Sequence, residues 1–231
     1  MPTAYIGIDD TDNHESRGTG HLARAIADQL ALNHKLHGVV RHQLFFDPRV
    51  PFTSHNSSAS IVFEMDKNET LDKPFNLAKQ IMQGDFQPGS DPGLCISVDV
   101  PESVIRFGQT AKKDIVTQEQ ARVLAAQYRI LLEGLGGTQD GVIGALSAVG
   151  LSYGGFDGRY VRIGNLRQLH GEQSIETVLH NGVDEVQTLD GVRIHTGIIL
   201  AEKLRPARRA HKAILFVEKH EDGIWYPLKL D

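Results

Sequence analysis

Three aspartates, Asp9, Asp10 and Asp12, stand close together directly after a short apolar run. Neighbouring carboxylates repel one another, and a hard divalent cation that also binds phosphate oxygens is a common way to offset that repulsion. If the strand extends into the loop, Asp10 and Asp12 point to one side, and Mg²⁺ usually takes one or two carboxylates together with substrate phosphates. Two interpretations stay open from this stretch alone: a Mg²⁺-nucleotide site, or a solvated acidic turn that caps the following helix.

The residues that follow could contact phosphate groups. Apolar spacing predicts a helix over residues 19–33, and Arg17, Gly18, Thr19 and Gly20 lie at its start. Free amides at a helix N-terminus and a nearby guanidinium both suit phosphate oxygens. Thr19 could instead serve only as the N-cap of this helix, which is the usual role of a hydroxyl at such a position.

A second glycine-rich helix start occurs later in the chain. Residues 134–141 contain four glycines, among them Gly137 and Gly141, and precede the small-residue run 142–150, which predicts a closely packed helix. The segment resembles a phosphate-binding nest in composition, although it lacks the ending of a Walker A loop. The glycines could also serve only to end one helix and let the next one pack closely. As a nucleotide site, the two helix starts would face each other across the nucleotide.

Composition excludes several classes of protein. The chain of 231 residues is 40% apolar and 23% charged, which is ordinary for a globular protein, and no apolar run reaches the length of a membrane helix. The first strand begins at once, so we expect no signal peptide and a cytoplasmic location. The lone Cys95 excludes a disulfide framework within one chain. Four histidines lack zinc-site spacing and are predicted to be surface or helix-facing residues: His14, His21, His42 and His55.

The charge pattern argues against a protein that binds nucleic acid mainly by electrostatics. The formal net charge is −5, whereas that mode of binding needs a basic face. The densest basic segment, residues 204–212, is defined here as the basic cluster. It is predicted to be a solvated loop before a strand over residues 213–217, with an RNA-binding patch through Arg205, Arg208, Arg209 and Lys212 as the alternative.

The order of predicted elements indicates an α/β (α+β) protein, ferredoxin-like or similar in its middle. Residues 117–133 read as a helix that begins with a capping box of Thr117 and Gln120. After Gly150 the pattern changes to short β-type runs, so we predict a first region over 1–150 and a small β-rich portion over 151–231. Strands are predicted over 159–163 and 192–198, with hairpin turns at Asp190-Gly191 and Asp222-Gly223.

Several motifs, in this order, resemble those of a known family. The chain resembles the N-terminal half of TiaS, the archaeal agmatinylcytidine synthetase that modifies an isoleucine tRNA, over roughly its first two-thirds. In that family the region is an ATP-dependent kinase-like module with a ferredoxin-like segment. The motifs that carry the resemblance are Gly-Ile-Asp-Asp-Thr-Asp at 7–12, Thr19 with Leu22-Ala23, Asp-Pro-x-Val-Pro-Phe at 47–52, Asp-Pro-Gly at 91–93, and the block 141–150.

The resemblance implies roles for particular residues. Asp9, Asp10 and Asp12 would hold Mg²⁺ and the ATP phosphates, and Thr19 stands where the family has a phosphorylatable threonine. Asp10, Asp12 and Thr19 would be the catalytic residues.

The resemblance also implies a position for two glycines and shows where this chain departs from the family. Gly141 and Gly144 would lie against the nucleotide. The family loop that carries two basic residues has Thr53 and His55 in their place here, and the cysteines of the family's zinc ribbon are absent from this sequence.

The sequence therefore predicts an ATP/Mg²⁺-dependent phosphoryl-transfer enzyme or ligase. Its acceptor would be a small molecule or a nucleotide rather than a whole tRNA, and no membrane partner is expected. The alternative is a non-catalytic nucleotide-sensing or RNA-binding protein on the same scaffold.

Overall fold

The computed structural model describes residues 1–13, 18–50 and 56–230, and the chain divides into two compact units, Met1–Gly154 and Gly155–Asp231. The first unit contains these elements in chain order: β1 Thr3–Asp9, α1 Thr19–Leu30, β2 Leu36–Gln43, β3 Ser57–Glu64, α2 Asp72–Asp85, β4 Gly93–Ser97, α3 Glu102–Ala111, α4 Gln118–Gln127, β5 Leu131–Gly134 and α5 Gly141–Gly154.

The first four strands and two helices of this unit form a ferredoxin-like β-α-β-β-α-β arrangement. The strand order is β4-β1-β3-β2, every neighbouring pair is antiparallel, and β5 extends the sheet beyond β4. The predicted α/β (α+β) fold class is confirmed. The ferredoxin-like segment lies at the start of the chain, however, and not in its middle, because β1 is its first strand and β4 its last.

Helices cover both faces of this sheet. Val149 of α5 packs with Tyr5 and Val62 in one buried cluster, and His34, which follows α1, contacts the ring of Phe63. Successive side chains of a strand point to opposite faces, so α5 and α1 lie on opposite sides of β3. Strand β1 is thus central, with neighbours on both edges and helices on both faces.

Close approach of backbones places α5 on the sheet. A β-carbon added at Gly7 of β1 would lie 2.0 Å from the carbonyl oxygen of Ala145, and one added at Gly93 of β4 would lie 2.1 Å from that of Gly141. Such distances are far below van der Waals contact, so only glycine fits at these positions. The small-residue helix predicted for 142–150 is confirmed, and its packing brings the N-terminus of α5 beside the end of β1.

One predicted helix is too long. The capping box of Thr117 and Gln120 is present, but α4 ends at Gln127 and residues 131–134 form β5. Arg129 takes a left-handed conformation with φ 54°, which breaks the helix, and the segment beyond it pairs with β4. Pairing with a distant strand overrides the local helical pattern here.

The second unit is mostly β, as predicted. Its strands pair in the order β6-β10-β11-β12-β9-β7, and β8 lies parallel to β11. A short 3-10 helix spans Leu166–Gln168, and the other elements are β6 Arg159–Arg162, β7 Glu172–Ser174, α6 Ile175–His180, β8 Glu185–Gln187, β9 Ile198–Leu200, β10 Ala207–Arg209, β11 Lys212–Lys219 and β12 Trp225–Pro227.

The strand predicted over 192–198 is wrong. Only Ile198 lies in a strand, and Arg193 forms an isolated bridge with Gln187. The Asp222-Gly223 turn is confirmed as the connection of the β11–β12 hairpin. Across the described ranges, none of the helices is both long and apolar enough to cross a membrane.

Candidate functional site

The acidic segment begins where the central strand β1 ends. Asp9 is the last residue of the strand, and its carboxyl group lies against the first turn of α5, since a β-carbon at Gly144 would be 1.7 Å from Asp9 Oδ2. Asp10 follows in a left-handed conformation with φ 48°, which Asp and Asn tolerate better than most residues. The turn therefore directs the two neighbouring carboxyl groups into different surroundings at one end of the sheet.

Burial and mutual repulsion disfavour ionisation of these carboxyl groups. Burial raises the pKa of Asp9 to about 8, and the charges of Asp10 and Asp12 add to this effect. Burial likewise raises the pKa of Asp10 to about 6, with further contributions from the carboxylates of Asp91, Asp12 and Asp140. Both groups would ionise more readily beside a cation.

A chain of hydrogen bonds joins the acidic segment to α1. The Thr19 hydroxyl donates to Asp12 Oδ1 at 2.8 Å, and it accepts from the Thr11 hydroxyl at 3.2 Å and from the Thr11 amide at 3.4 Å. Thr11 and Thr19 are both buried. Thr19 is not the N-cap of α1, because Gly18 occupies that position and Thr19 is the first helical residue. The Thr19 hydroxyl thus points its proton at a carboxylate.

A cavity of about 350 Å³ opens over this chain of hydrogen bonds. Its wall combines acidic residues with apolar ones, which include Leu44, Phe45, Val50, Ile115 and Val116. We call it the acidic cavity. The polar residues of its wall are Asp9, Asp10, Asp12, Thr19, Arg49, Asn56, Ser57, Asp91, Asp114, Thr117 and Asp140.

The predicted glycines fall into three groups. Gly141 and Gly144 line the acidic cavity, where Gly144 also leaves room for Asp9. Gly18 and Gly20 line a separate cavity of about 160 Å³, which shares Asp12 and Thr19 with the first. Gly137 does not line the acidic cavity. It has φ 56°, and a β-carbon there would collide with the Asp91 carboxylate, so its role is to let the loop approach Asp91.

Sequence reasoning missed three carboxylates that the fold brings to the same cavity. Asp91 precedes β4, Asp140 precedes α5, and Asp114 follows α3. Asp91 Oδ1 accepts a hydrogen bond from the Thr138 amide at 2.5 Å, which ties the glycine-rich loop to the start of β4. The Asp-Pro-Gly motif at 91–93 was a signal for Asp91, whereas Asp114 and Asp140 stand in no motif that indicates a site.

Two other predictions concern residues elsewhere. Four residues named in these predictions lie outside the described residues: His14, Arg17, Thr53 and His55. Of the two alternatives predicted for His42, the surface position is wrong and the helix-facing one is confirmed: the residue is fully buried on a helix-covered face of the sheet, and its Nε2 lies 2.9 Å from the Ser60 hydroxyl. Both residues stand on neighbouring strands of the sheet, where alternation sends their side chains to the same covered face.

The basic cluster is not a solvated loop. Residues Ala207–Arg209 form β10, which pairs with β11, and the side chain of Arg208 is buried. Arg208 Nη1 donates to the Tyr160 hydroxyl at 2.5 Å, and Lys212 pairs with Glu185 at 2.7 Å. The cluster therefore stabilises the second unit through specific contacts.

The donor set of the acidic cavity fits Mg²⁺ that arrives with phosphate groups. Carboxylate oxygens are hard ligands, and Mg²⁺ typically combines one or two of them with waters and substrate phosphates. In the part of the chain that the structure describes, no three His, Cys, Asp or Glu side chains are grouped so as to hold a metal ion by themselves. The aspartates thus suit a cation shared with a nucleotide better than a protein-only metal site.

Comparison with known proteins identifies the fold. A tRNA fluorescent labeling enzyme matches 64% of this chain at 24% identity with a TM-score of 0.55, and the match covers 36% of that chain. Apo TiaS, a tRNA agmatidine synthetase, matches 64% at 23% identity with a TM-score of 0.55, covering 35% of its own chain. The complex of TiaS with its tRNA and ATP matches 65% at 23% identity with a TM-score of 0.56, covering 36%.

These matches confirm the resemblance to TiaS at the level of the fold. This chain spans little more than a third of the length of those proteins. No family model matches the sequence, and no curated protein matches it.

Proposed function

We propose that this chain is an ATP/Mg²⁺-dependent phosphoryl-transfer enzyme or ligase that acts on a small-molecule or nucleotide acceptor. The observation that carries the proposal is the hydrogen bond of 2.8 Å from the Thr19 hydroxyl to Asp12, in the wall of a cavity that also contains Asp9 and Asp10. A hydroxyl held on a carboxylate beside further acidic side chains suits transfer of a phosphoryl group from a metal-bound nucleotide. A protein of the same fold has been solved in complex with ATP, which supports the choice of nucleotide.

The aspartates would divide the work of binding. One or two of the carboxylates of Asp9, Asp10 and Asp12 would hold Mg²⁺ together with waters and the phosphate oxygens of the nucleotide. Bound Mg²⁺ would neutralise charge on the phosphate oxygens. Because Gly141 and Gly144 have no side chains, the start of α5 leaves space for the nucleotide beside Asp9.

Thr19 would be the first acceptor of the phosphoryl group. A bond forms between Thr19 Oγ1 and the γ-phosphorus of ATP while the bond from that phosphorus to the bridging oxygen breaks, and ADP leaves. The Thr19 hydroxyl proton passes to Asp12, whose Oδ1 already accepts the hydrogen bond from that hydroxyl. Thr11 orients the nucleophile, because its hydroxyl and amide both donate to Thr19 Oγ1 and leave the Thr19 proton directed at the carboxylate. The longer bond, from the Thr11 amide at 3.4 Å, opens to free a lone pair of Oγ1 for the attack on phosphorus.

The final acceptor is the molecule that would receive the phosphoryl group from Thr19, and its chemical class follows from the cavity wall. The apolar part of the cavity wall, with Phe45 and Ile115, suits a flat organic group such as a nucleobase. The arginines of the alternative RNA-binding patch form hydrogen bonds within the second unit. Arg205 donates to the Val161 carbonyl oxygen, and Arg208 donates to the Tyr160 hydroxyl. This arrangement favours a small molecule or nucleotide over electrostatic capture of RNA.

Mass spectrometry of the protein incubated with ATP and Mg²⁺ tests the proposal. We expect one phosphate on Thr19, none on Thr19→Val, and unchanged labelling of Thr70→Val, which removes an exposed hydroxyl outside the cavity. Binding of ATP without phosphate on Thr19 would support the non-catalytic nucleotide-sensing alternative. Labelling that survives in Thr19→Val would refute the role of Thr19.

A further inference from the structure

The wall of the acidic cavity is unbalanced in charge. It contains six aspartates, and of the described residues that line it, Arg49 is the only Lys or Arg. A nucleotide triphosphate adds more negative charge, and one Mg²⁺ leaves part of that charge uncompensated. A bound triphosphate therefore needs a further cation, and among the described lining residues only Arg49 provides one.

The guanidinium of Arg49 is already paired with the carboxylate of its neighbour Asp47. Its Nε donates to Asp47 Oδ1 at 2.7 Å and its Nη2 donates to Asp47 Oδ2 at 3.0 Å, which is the two-pronged geometry that a guanidinium also forms with phosphate. The hydrogen bonds and charge of Arg49 lower the pKa of Asp47 to about 2, so Asp47 is ionised at neutral pH. The guanidinium is thus neutralised by Asp47.

This ion pair can be broken at little cost. The side chain of Arg49 is 67% exposed and that of Asp47 is 20% exposed, and ion pairs at the surface contribute little to stability because water solvates the released guanidinium. The turn itself does not depend on the guanidinium, since the Val50 amide donates to the Asp47 carbonyl oxygen at 3.0 Å and the Arg49 amide donates to Asp47 Oδ1 at 3.0 Å. Arg49 can leave Asp47 while the backbone of the turn stays closed.

We propose that Arg49 is a phosphate-binding residue that exchanges Asp47 for the terminal phosphates of the bound nucleotide. The inference rests on the proposed function, because it presumes that a nucleotide occupies the acidic cavity. Asp47 then acts as a competing anion that holds the guanidinium at the cavity wall until phosphate arrives. Guanidinium recognition of phosphate is bidentate, so lysine would be a poor replacement.

The proposal makes two substitutions act in opposite directions. Arg49→Ala removes the phosphate contact, and we expect the affinity for Mg-ATP to fall roughly tenfold or more, in line with a hydrogen bond to a charged group. Asp47→Asn keeps an oxygen for the Arg49 amide but removes the competing charge, so we expect affinity equal to or a few-fold higher than that of the unsubstituted protein. If the ion pair only stabilised the turn, both substitutions would weaken binding.

Calorimetry of the full chain with Mg-ATP measures these effects. Lys113→Ala is the matched control, because Lys113 is exposed and does not line the cavity, although its neighbour Asp114 does. The substitution removes one positive charge, and we expect it to change the affinity less than twofold. Thermal unfolding of each variant establishes that it is folded.

Two results would overturn the inference and leave the proposed function intact: unchanged affinity of Arg49→Ala, or equal loss in Arg49→Ala and Asp47→Asn. Absence of any Mg-ATP binding by the unsubstituted protein would overturn both.

Discussion

The acidic cavity of the first unit and the basic cluster of the second unit differ in how their charges are compensated. Residues 1–154 contain 18 acidic and 13 basic side chains, whereas residues 155–231 contain 11 of each. Among the described residues, six aspartates line the acidic cavity with one arginine, and that arginine is paired with Asp47. In the basic cluster, Arg208 is buried on Tyr160 and Lys212 is paired with Glu185.

This difference separates a candidate site from a structural cluster. Burial, together with uncompensated repulsion, raises the pKa of Asp9 and Asp10 and costs folding free energy, and a chain that retains such a cost commonly does so for binding or catalysis. Charges that are satisfied by neighbours contribute to stability and offer less to a ligand. A dense run of charges in sequence therefore does not by itself identify a binding surface.

The largest effect on stability is expected in the basic cluster. Arg208→Ala removes a buried guanidinium and leaves the Tyr160 hydroxyl without that donor, so we expect a loss of about 3 kcal/mol in the free energy of unfolding and no change in Mg-ATP affinity. The only tryptophan, Trp225, lies in the second unit, so urea unfolding followed by its fluorescence measures this loss.

Arg193→Ala is the control for this prediction. The exposed Arg193 forms an ion pair with Glu185 at 3.0 Å, and Glu185 also pairs with Lys212, so we expect the loss of Arg193 to cost less than about 1 kcal/mol. Weaker Mg-ATP binding by a folded Arg208→Ala protein would contradict the division between the two regions.

A smaller effect is expected from a substitution that adds a methyl group to the wall of the acidic cavity and leaves its charge unchanged. Gly144→Ala places a methyl group against the Asp9 carboxyl, so we expect a loss of about 1 to 3 kcal/mol in unfolding free energy and weaker Mg-ATP binding. Gly84→Ala is the matched control: it lies in α2 with no atom within 4 Å of the added carbon, so helix propensity makes it neutral or stabilising by up to about 1 kcal/mol. Circular dichroism during urea unfolding and calorimetry with Mg-ATP measure both variants, and equal behaviour of the two would contradict the close packing of Asp9 on α5.

Elements governed by local pattern were predictable from the sequence. The capping box at Thr117, the small-residue helix and the strand that ends at Asp9 all depend on residues near in sequence. Strand β5 was not predictable, because no Gly or Pro marks the end of α4 and the strand forms by pairing with β4. The strand expected over 192–198 failed for the converse reason, since Arg193 forms only an isolated bridge and a strand begins only at Ile198.

The residues of the candidate site likewise include some that were predictable from the sequence and others that were not. Asp9, Asp10 and Asp12 could be proposed from adjacency in the sequence, and Thr19 from the motif that resembles the TiaS family. Asp91 and Asp140 join them only because Gly93 and Gly141 let β4 and α5 meet without side chains between them. No local pattern could show that contact.

Calorimetry of Asp10→Asn with Mg-ATP tests the central claim most directly. Asparagine tolerates the left-handed conformation at this position, so the substitution removes the charge and preserves the turn. Asp99→Asn, an exposed residue outside the cavity, is the control. We predict that Asp10→Asn weakens Mg-ATP binding by about a hundredfold or more, as expected for the loss of a charged ligand, while Asp99→Asn binds like the unsubstituted protein. Unchanged affinity of Asp10→Asn would contradict the assignment of the acidic cavity as the Mg²⁺-nucleotide site.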